Sequence, residues 1–249
     1  MENKEVEKVL LITGASSDVG IKLLESVYKN YGVIYVQYRN MNDELEQLVD
    51  KIRLEREIFL LKTDFSKDED VQGLINAIRE RNIYPNNIVH LPAPKAYNSQ
   101  FHKDKWENYE LGWKISVRSI VEILKAFVPY MAKLKYGRVV FLLSSYTINI
   151  PPKFQSSYVT VKYALLGLMK SLSAEYIGKG ITVNAVSPDM METKFLSEIP
   201  EMIISQNAMN SPIGRNIYVN EVIPVISYML SDFGASMTGQ NVAITGGNR

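Results

Sequence analysis

Short apolar runs alternate along the chain with longer amphipathic segments. The apolar runs predict strands at Val9–Ile12, Val33–Tyr38, Ile58–Leu61, Ile88–Leu91, Val139–Leu143 and Ile181–Val186, with a last strand near Val242–Thr245. The amphipathic segments predict helices at Val19–Tyr31, Asn42–Glu55, Asp68–Arg81, Trp113–Leu134, Ser156–Ile177 and Val219–Leu230. Such alternation is typical of a parallel sheet with helices on both faces. The pattern therefore predicts one α/β domain over residues 1–249, with a doubly wound sheet of about seven strands.

Composition excludes several classes of function. The formal net charge of +1 gives no reason to expect nucleic acid or a membrane surface as a partner. Without cysteine there are no disulfides, thiol nucleophiles or thiolate metal sites. His90 and His102 are too isolated to predict a metal cluster. The polar amino terminus is unlike a signal peptide, and no apolar run reaches transmembrane length, so the cytoplasm is the expected location.

The first predicted strand leads into a turn of small residues. The turn reads Thr13-Gly14-Ala15-Ser16-Ser17-Asp18-Val19-Gly20. Small residues allow backbone N–H groups to approach a pyrophosphate at the positive end of the following helix. The turn favours a Rossmann-like dinucleotide site. Its glycines lack the spacing of the common fingerprint, so a tight turn without a ligand is the alternative.

Two charged residues follow the next strands. Arg39 comes where the ribose of an adenosine should lie, and no acidic residue is there to pair with a free 2′-hydroxyl. A guanidinium at that point would accommodate a 2′-phosphate. Asp64, after the third strand, is placed to accept a hydrogen bond from the adenine amine. These residues predict NADP(H), and solvated surface charges are the alternative.

Candidate catalytic chemistry follows the fifth predicted strand. Tyr158 and Lys162 are four residues apart on a predicted helix and therefore share a face. A neighbouring ammonium lowers the pKa of a phenol, which makes the phenol usable as a general acid or base. Ser145 would hold a substrate carbonyl or hydroxyl beside it. A Tyr-x-x-x-Lys pair is a weak signal by itself, and an ordinary helix surface is the alternative.

Taken together, the glycine turn, Ser145, Tyr158 and Lys162 resemble the short-chain dehydrogenase/reductase family over essentially the whole chain. Ser145 stands thirteen residues before the Tyr158-x-x-x-Lys162 pair, and Asp64 also matches. The resemblance extends to Val183-Asn184-Ala185-Val186-Ser187-Pro188-x-Met190-x-x-Thr193, to Thr238-Gly239-Gln240 and to Gly246-Gly247. Within the family, the run Gly178-Lys179-Gly180-Ile181-Thr182-Val183-Asn184 most resembles 3-ketoacyl-acyl-carrier-protein reductases.

The resemblance implies an NADP(H)-dependent oxidoreductase that interconverts a small-molecule carbonyl and an alcohol. Tyr158 would be the general acid, Lys162 would hold the nicotinamide ribose and lower the pKa of Tyr158, and Ser145 would orient the carbonyl. Ser116 falls at the position of the family's catalytic Asn. The positions implied for the cofactor are Gly14, Ser16, Ser17, Asp18, Val19, Gly20, Arg39, Asp64, Phe65, Ala93, Tyr158, Lys162, Pro188, Met191 and Thr193.

Four positions depart from the family pattern. Asp18 replaces the central glycine of the turn, the segment 91–94 (Leu-Pro-Ala-Pro) replaces Asn-Asn-Ala-Gly, Ser116 replaces Asn, and Asp189 replaces the glycine after Pro188. A carboxylate near a pyrophosphate is repulsive unless it points outward or caps the helix. A catalytically weak or inactive nucleotide-binding regulatory or scaffold member is therefore the alternative to an enzyme.

The family resemblance also predicts a mobile element and a partner. The Met-rich stretch 189–217 is expected to form an irregular substrate lid, with a core helix or an oligomer contact as alternatives. The helices Trp113–Leu134 and Ser156–Ile177 are apolar around much of their circumference, which predicts a homodimer or homotetramer.

An acyl-carrier-bound substrate is a further expectation. Lys133, Lys135 and Lys179 fall where the ketoacyl reductases hold an acidic carrier protein. Solvated charges favourable to helix dipoles are the alternative for these lysines.

Overall fold

Seven parallel strands form one sheet in the computed structural model, which describes residues 6–94 and 98–248. The strands are β1 (Val9–Thr13), β2 (Val33–Tyr38), β3 (Glu57–Lys62), β4 (Asn87–His90), β5 (Gly137–Leu142), β6 (Ile181–Pro188) and β7 (Asn241–Ile244). Their order is β3-β2-β1-β4-β5-β6-β7, and every neighbouring pair is parallel. The predicted doubly wound α/β sheet is confirmed.

Eight α-helices flank the sheet within the described residues. They are α1 (Asp18–Val27), α2 (Asp43–Arg53), α3 (Asp68–Arg81), α4 (Trp106–Gly112), α5 (Ser119–Leu134), α6 (Ser156–Tyr176), α7 (Glu201–Asn210) and α8 (Val219–Leu230). Side-chain caps begin two of them, because Ser17 accepts a hydrogen bond from Gly20 N and Asn42 accepts one from Leu45 N. No helix among these residues is both long and apolar enough to cross a bilayer.

The core consists of two layers separated by the sheet. Along β1, Val9 and Leu11 pack into the layer built with α3, α5 and α6. Leu10 and Ile12 point the other way, into the layer built with α1, α2 and α8. A strand buried on both faces needs apolar side chains at every position, which is why the strands appear in the sequence as continuous apolar runs.

The helix predicted at Trp113–Leu134 has a different start. The chain is already helical from Trp106, and a π-helical turn at Trp113–Arg118 joins α4 to α5. At the junction, a Cβ added to Gly112 would lie 2.9 Å from Val161 Cγ2, so this glycine allows α4 to pass close to α6. Because α4 buries little apolar surface, the hydrophobic pattern gives no sign of it.

The Met-rich stretch 189–217 is more ordered than the sequence suggests. It contains a 3₁₀ turn at Lys194–Glu198, helix α7, and a parallel bridge between Met191 and Ile217. No described side chain of α7 is fully buried, so the stretch does not supply a core helix.

Candidate active site

The carboxyl ends of β5 and β6 are joined to the first residue of β7 by a network of hydroxyl and amide groups. Ser144 begins a 3₁₀ turn over Ser145–Thr147 immediately after β5. The Thr147 hydroxyl lies 3.1 Å from Ser187 Oγ and accepts from Asn241 Nδ2 at 3.2 Å, while Ser187 donates to Asn241 Oδ1 at 2.7 Å. The turn that carries Ser145 is therefore held by three adjacent strands.

Helix α6 presents Tyr158 and Lys162 to this edge of the sheet. Lys162 is 1% exposed, and its Nζ donates to Leu142 O at 2.8 Å. The same nitrogen lies 5.5 Å from the centre of the Tyr158 ring. Tyr146 contacts the other side of Tyr158 in an edge-to-face arrangement with 6.0 Å between ring centres. The predicted pair thus shares one face of the helix, next to the Ser145 turn.

The expected lowering of the Tyr158 pKa is wrong in direction. Burial is the main cause and raises the pKa of Tyr158, and the smaller opposing effect of the Ser144 hydroxyl does not offset it. Burial also lowers the pKa of Lys162 to about 7, so this ammonium is only partly charged at neutral pH. Tyr158 is consequently a neutral phenol near pH 7, which is the protonated form that a general acid must have before it donates.

Asp189 joins Ser145 in this site, a contact that the sequence pattern did not indicate. Ser145 Oγ donates to Asp189 Oδ1 at 3.1 Å, and Asn248 Nδ2 donates to Asp189 Oδ2 at 2.9 Å. Asp189 N donates to Ile244 O at 3.0 Å, which holds the residue beyond the end of β7. The serine expected to orient a carbonyl is therefore bonded to a carboxylate.

Ser116 lies in the π-helical turn and contacts the segment after β4. It is fully buried, and its hydroxyl donates to Pro92 O at 3.1 Å. Its carbonyl lies 2.8 Å from His90 Nε2, and His90 Nδ1 lies 2.8 Å from Thr13 Oγ1. Burial, together with the charge of Lys162, lowers the pKa of His90 to about 3. The serine side chain is thus committed to a structural contact, and His90 links the glycine turn to the π-helical turn.

The glycine turn has the tight geometry that a phosphate-binding loop requires. Gly14 has a φ of +72°, and a Cβ on Gly20 would lie 2.6 Å from Ala15 Cα. The amides of Asp18 and Val19 open α1 and have no acceptor within the helix. The Gly14 amide differs from these two, because it already donates to Gln37 Oε1 at 2.7 Å. The backbone therefore fits a bound pyrophosphate at the start of α1.

Asp18 points away from its own helix. Its Oδ2 accepts from Lys194 N at 2.7 Å, and Lys194 Nζ pairs with Glu44 Oε1 at 2.9 Å. The first of these contacts connects the glycine turn to the 3₁₀ turn of the 189–217 stretch. The carboxylate nevertheless stays near the helix terminus, where a pyrophosphate would feel its charge.

The predicted adenosine contacts follow β2 and β3. Arg39 is exposed. Burial tends to raise the pKa of Asp64, but hydrogen bonds from Ser66 and the charges of Arg39 and Lys67 lower it overall. Phe65 is buried and stacks on His90 with 6.4 Å between ring centres. A guanidinium and a carboxylate thus flank the place proposed for the ribose and adenine.

The remaining cofactor candidates lie along the same edge. Ala93 is partly buried after β4, and Pro188 is buried at the end of β6. Met191 and Thr193 follow β6 and are partly buried. Among the described residues, no group of three His, Asp or Glu side chains is placed to hold a metal ion.

Comparison with known proteins identifies the family. A family model described as enoyl-(acyl carrier protein) reductase matches residues 27–249. The chain belongs to the short-chain dehydrogenase/reductase family. It is by family an oxidoreductase, and a nicotinamide cofactor is typical of such proteins.

The similar proteins differ in activity. Oxidoreductase UcpA of Salmonella typhimurium is 28% identical over 255 residues, covering 97% of this chain and 94% of UcpA. The 3-oxoacyl-(acyl-carrier-protein) reductase FabG of Thermotoga maritima is 26% identical over 245 residues, covering 96% of this chain and 97% of FabG. The crystal structure of levodione reductase has a TM-score of 0.87 at 20% identity over 98% of both chains, which shows a shared fold.

The lysines expected to hold a carrier protein lie elsewhere in this family member. Lys133 and Lys135 precede β5, and Lys179 precedes β6. Ser145 follows the carboxyl end of β5, and a six-residue parallel strand spans about 20 Å. Within one chain the three lysines are therefore at the opposite edge of the sheet from the candidate site.

Proposed function

We propose that the protein is an NADP(H)-dependent oxidoreductase that interconverts a carbonyl and an alcohol on a small molecule. The observation that carries the proposal is the placement of Tyr158 and Lys162 beside Ser145 at the carboxyl edge of the sheet. In parallel α/β sheets, ligands bind at this edge.

The residues divide the chemistry among them. When bound, the nicotinamide supplies hydride to the carbonyl carbon. Tyr158 donates a proton to the carbonyl oxygen, and the neutral phenol that burial favours is the form this step requires. Ser145 orients the oxygen by hydrogen bonding once its hydroxyl turns from Asp189. Lys162, fixed on Leu142 O, contributes positive charge beside the phenol in the fraction of molecules in which it is protonated.

Arg39 supports NADP(H) over NAD(H). Its guanidinium is exposed beyond β2, and a planar fork of donors pairs well with a 2′-phosphate. Arg39→Asp should reverse or abolish the preference, whereas Arg53→Asp on α2 should leave it unchanged. Equal dissociation constants of the unaltered protein for NADPH and NADH, measured by calorimetry, would contradict this assignment.

The substrate proposed is a free small molecule rather than a carrier-bound one. The position of Lys133, Lys135 and Lys179 at the opposite edge of the sheet within one chain supports a free substrate. The unaltered protein should therefore turn over a carrier-bound ketoacyl substrate no faster than its free thioester analogue. Changing the three lysines to Glu should leave the rate with the carrier-bound substrate unchanged.

Tyr158→Phe tests the catalytic assignment. NADPH oxidation with a panel of ketones should fall by at least about 100-fold, because loss of a general acid typically costs 10²–10⁴ in rate. Calorimetric NADPH binding should survive, since only a hydroxyl is lost. Tyr163→Phe, on the same helix but 44% exposed, is the matched control and should retain full activity. Near-normal turnover in Tyr158→Phe would refute the role.

A nucleotide-binding regulatory protein is the second candidate. Two observations favour it: the Gly14 amide is already bonded to Gln37, and the Asp18 carboxylate stands at the start of α1. Tight NADPH binding without turnover of any ketone in the panel would select this alternative.

A further inference from the structure

The Asp189 carboxylate has no part in the proton and hydride transfers proposed above, yet it is bonded to Ser145, which is proposed to orient the carbonyl. Its Oδ1 accepts from Ser145 Oγ at 3.1 Å and from Met190 N at 2.9 Å, and its Oδ2 accepts from Asn248 Nδ2 at 2.9 Å. A carboxylate has about four acceptor sites. Asp189 is partly exposed, so it has capacity for one more donor.

The backbone and the neighbouring side chains hold the Asp189 carboxylate near the candidate active site. Asp189 lies directly after Pro188, and its backbone is bonded to β7 through Ile244 O, so its position is rigid. Burial is the main cause of a raised pKa of Tyr146, and the charge of Asp189 is the second cause. The Tyr146 ring packs against Tyr158. The carboxylate is therefore linked to Ser145 directly and lies close enough to Tyr146, the neighbour of Tyr158, for its charge to act there.

The negative charge of Asp189 forms no ion pair within the described part of the chain. Within residues 6–94 and 98–248, no Lys, Arg or His nitrogen lies within 4 Å of the Asp189 carboxylate. The two donors at Oδ1, the Ser145 hydroxyl and the Met190 amide, would also be accepted by the neutral oxygen of an amide. A carboxylate without a cationic partner is what a site for a ligand donor requires.

We propose that Asp189 is a specificity-determining residue that selects substrates with a hydrogen-bond donor, a hydroxyl or an ammonium, next to the reacting carbon. It discriminates against substrates with an anionic group there, because like charges repel strongly where water is partly excluded. The inference rests on the proposed oxidoreductase function and specifies the substrate class of the same site.

Four alcohols that differ only in the neighbouring group provide the test: cyclohexanol, cyclohexane-1,2-diol, 2-aminocyclohexanol and 2-hydroxycyclohexanecarboxylate. The KM of each is measured for oxidation with NADP⁺, in the unaltered protein, in Asp189→Asn and in the control Asp50→Asn. Asp50 lies on the surface of α2, where it pairs with Arg53. Asp189→Asn keeps an acceptor for Ser145 at Oδ1 and removes the charge, and it replaces the acceptor of Asn248 by an amide nitrogen.

In Asp189→Asn we expect the KM of the diol or of the amino alcohol to rise about 10- to 100-fold, the range for loss of a hydrogen bond to a charged group. The KM of cyclohexanol should stay constant and that of the hydroxy acid should fall. A larger effect on the amino alcohol than on the diol identifies an ammonium substrate, and the reverse identifies a hydroxyl. Asp50→Asn should change none of these values.

Dead-end binding makes the result independent of turnover. Calorimetry with NADPH present measures the Kd of each alcohol in a complex that cannot react. If Kd values separate as above but no alcohol is oxidised, the inference stands and the proposed reaction fails. An equal change in KM for all four alcohols would mean that Asp189 acts only by positioning Ser145, and would overturn the inference. No change, or no binding of any of the four to the unaltered protein, would also overturn it.

Discussion

Acid should destabilise the protein through His90, because this imidazole is held neutral in the core. The ring is 1% exposed and lies between Thr13 Oγ1 and Ser116 O, each at 2.8 Å. The carbonyl at Nε2 requires a hydrogen on that nitrogen, so the neutral ring accepts from the Thr13 hydroxyl through Nδ1. Protonation would place a charge in the core with no anionic partner among these contacts.

The magnitude follows from the lowering of the His90 pKa from 6.5 to about 3. The folded pKa is lower than the unfolded one, so the unfolded chain binds the proton first as the pH falls. The contribution of His90 to stability is therefore constant above about pH 6.5 and is lost between there and pH 3. A tenfold difference in proton affinity between the two states is worth about 1.4 kcal/mol, which gives about 1 kcal/mol between pH 6 and 5 and about 5 kcal/mol over the whole window.

Urea unfolding at pH 7, 6 and 5 measures the effect. His90→Gln should be less stable at pH 7, where it loses well-placed hydrogen bonds, but its free energy of unfolding should fall less between pH 6 and 5, by about 1 kcal/mol. His102→Gln is the matched control, since His102 is exposed and is the only other histidine of the sequence. Its pH dependence should run parallel to that of the unaltered protein.

Equal slopes for the unaltered protein and His90→Gln would refute the reasoning. If His90→Gln does not fold, the pKa of His90 in the unaltered protein decides the question by NMR titration. His102→Gln then assigns the two imidazole signals, and titration of His90 near pH 6.5 would show that the ring is not held neutral.

Three other predictions test the turn, the cofactor site and the assembly. Gly20→Ala should destabilise the protein by about 1–3 kcal/mol through contact with Ala15, whereas Gly73→Ala, with nothing within 4 Å of the new Cβ, should be neutral or stabilising in urea unfolding; equal effects would exclude a tight turn. Asp18→Asn keeps the acceptor for Lys194 N and should lower the Kd for NADPH several-fold at low salt, with the gain shrinking as salt screens the charge; an unchanged Kd contradicts this. Light scattering at micromolar concentration should give the mass of a dimer or larger, because Trp106 remains 72% exposed in one chain. Trp106→Glu should weaken the assembly. A monomeric mass for the unaltered protein would contradict the predicted assembly.

Much of the fold could be predicted because the sheet is buried on both faces. The apolar pattern predicted β2 residue for residue and the other strands to within one or two residues at each end. Helices α4 and α7 could not be found in this way, since α4 buries little beyond Gly112 and α7 buries no described side chain. A helix that covers no core leaves no periodic signal.

Most of the apolar residues in the predicted helix Trp113–Leu134, which suggested an assembly surface, belong to the core. Ile120, Ile123, Leu124, Phe127 and Val128 are all buried against the sheet within one chain. The apolar surface that this helix leaves for assembly is therefore smaller than the sequence suggested, although Trp113 at its predicted start is 48% exposed.

The candidate site was predictable only where its residues are close in sequence. Helical spacing places Tyr158 and Lys162 on one face, as found. The contact of Asp189 with Ser145 depends on how β5, β6 and β7 align, which local pattern does not encode. The raised pKa of Tyr158 depends on desolvation by the surrounding protein, and spacing alone suggested the opposite direction.

The central position of β1 has a consequence for synthesis. Strand order places β1 between β2 and β4, although it is the first strand to be made. During translation, β1, β2 and β3 can pair before residues 87–90 exist, which leaves one edge of the apolar Val9–Thr13 segment open. Unpaired apolar edges are templates for association between chains. The yield of folded protein in a cell should therefore depend on the time between synthesis of β1 and synthesis of β4, and on chaperones that cover β1 during that time. These factors should matter more than the stability of the finished sheet.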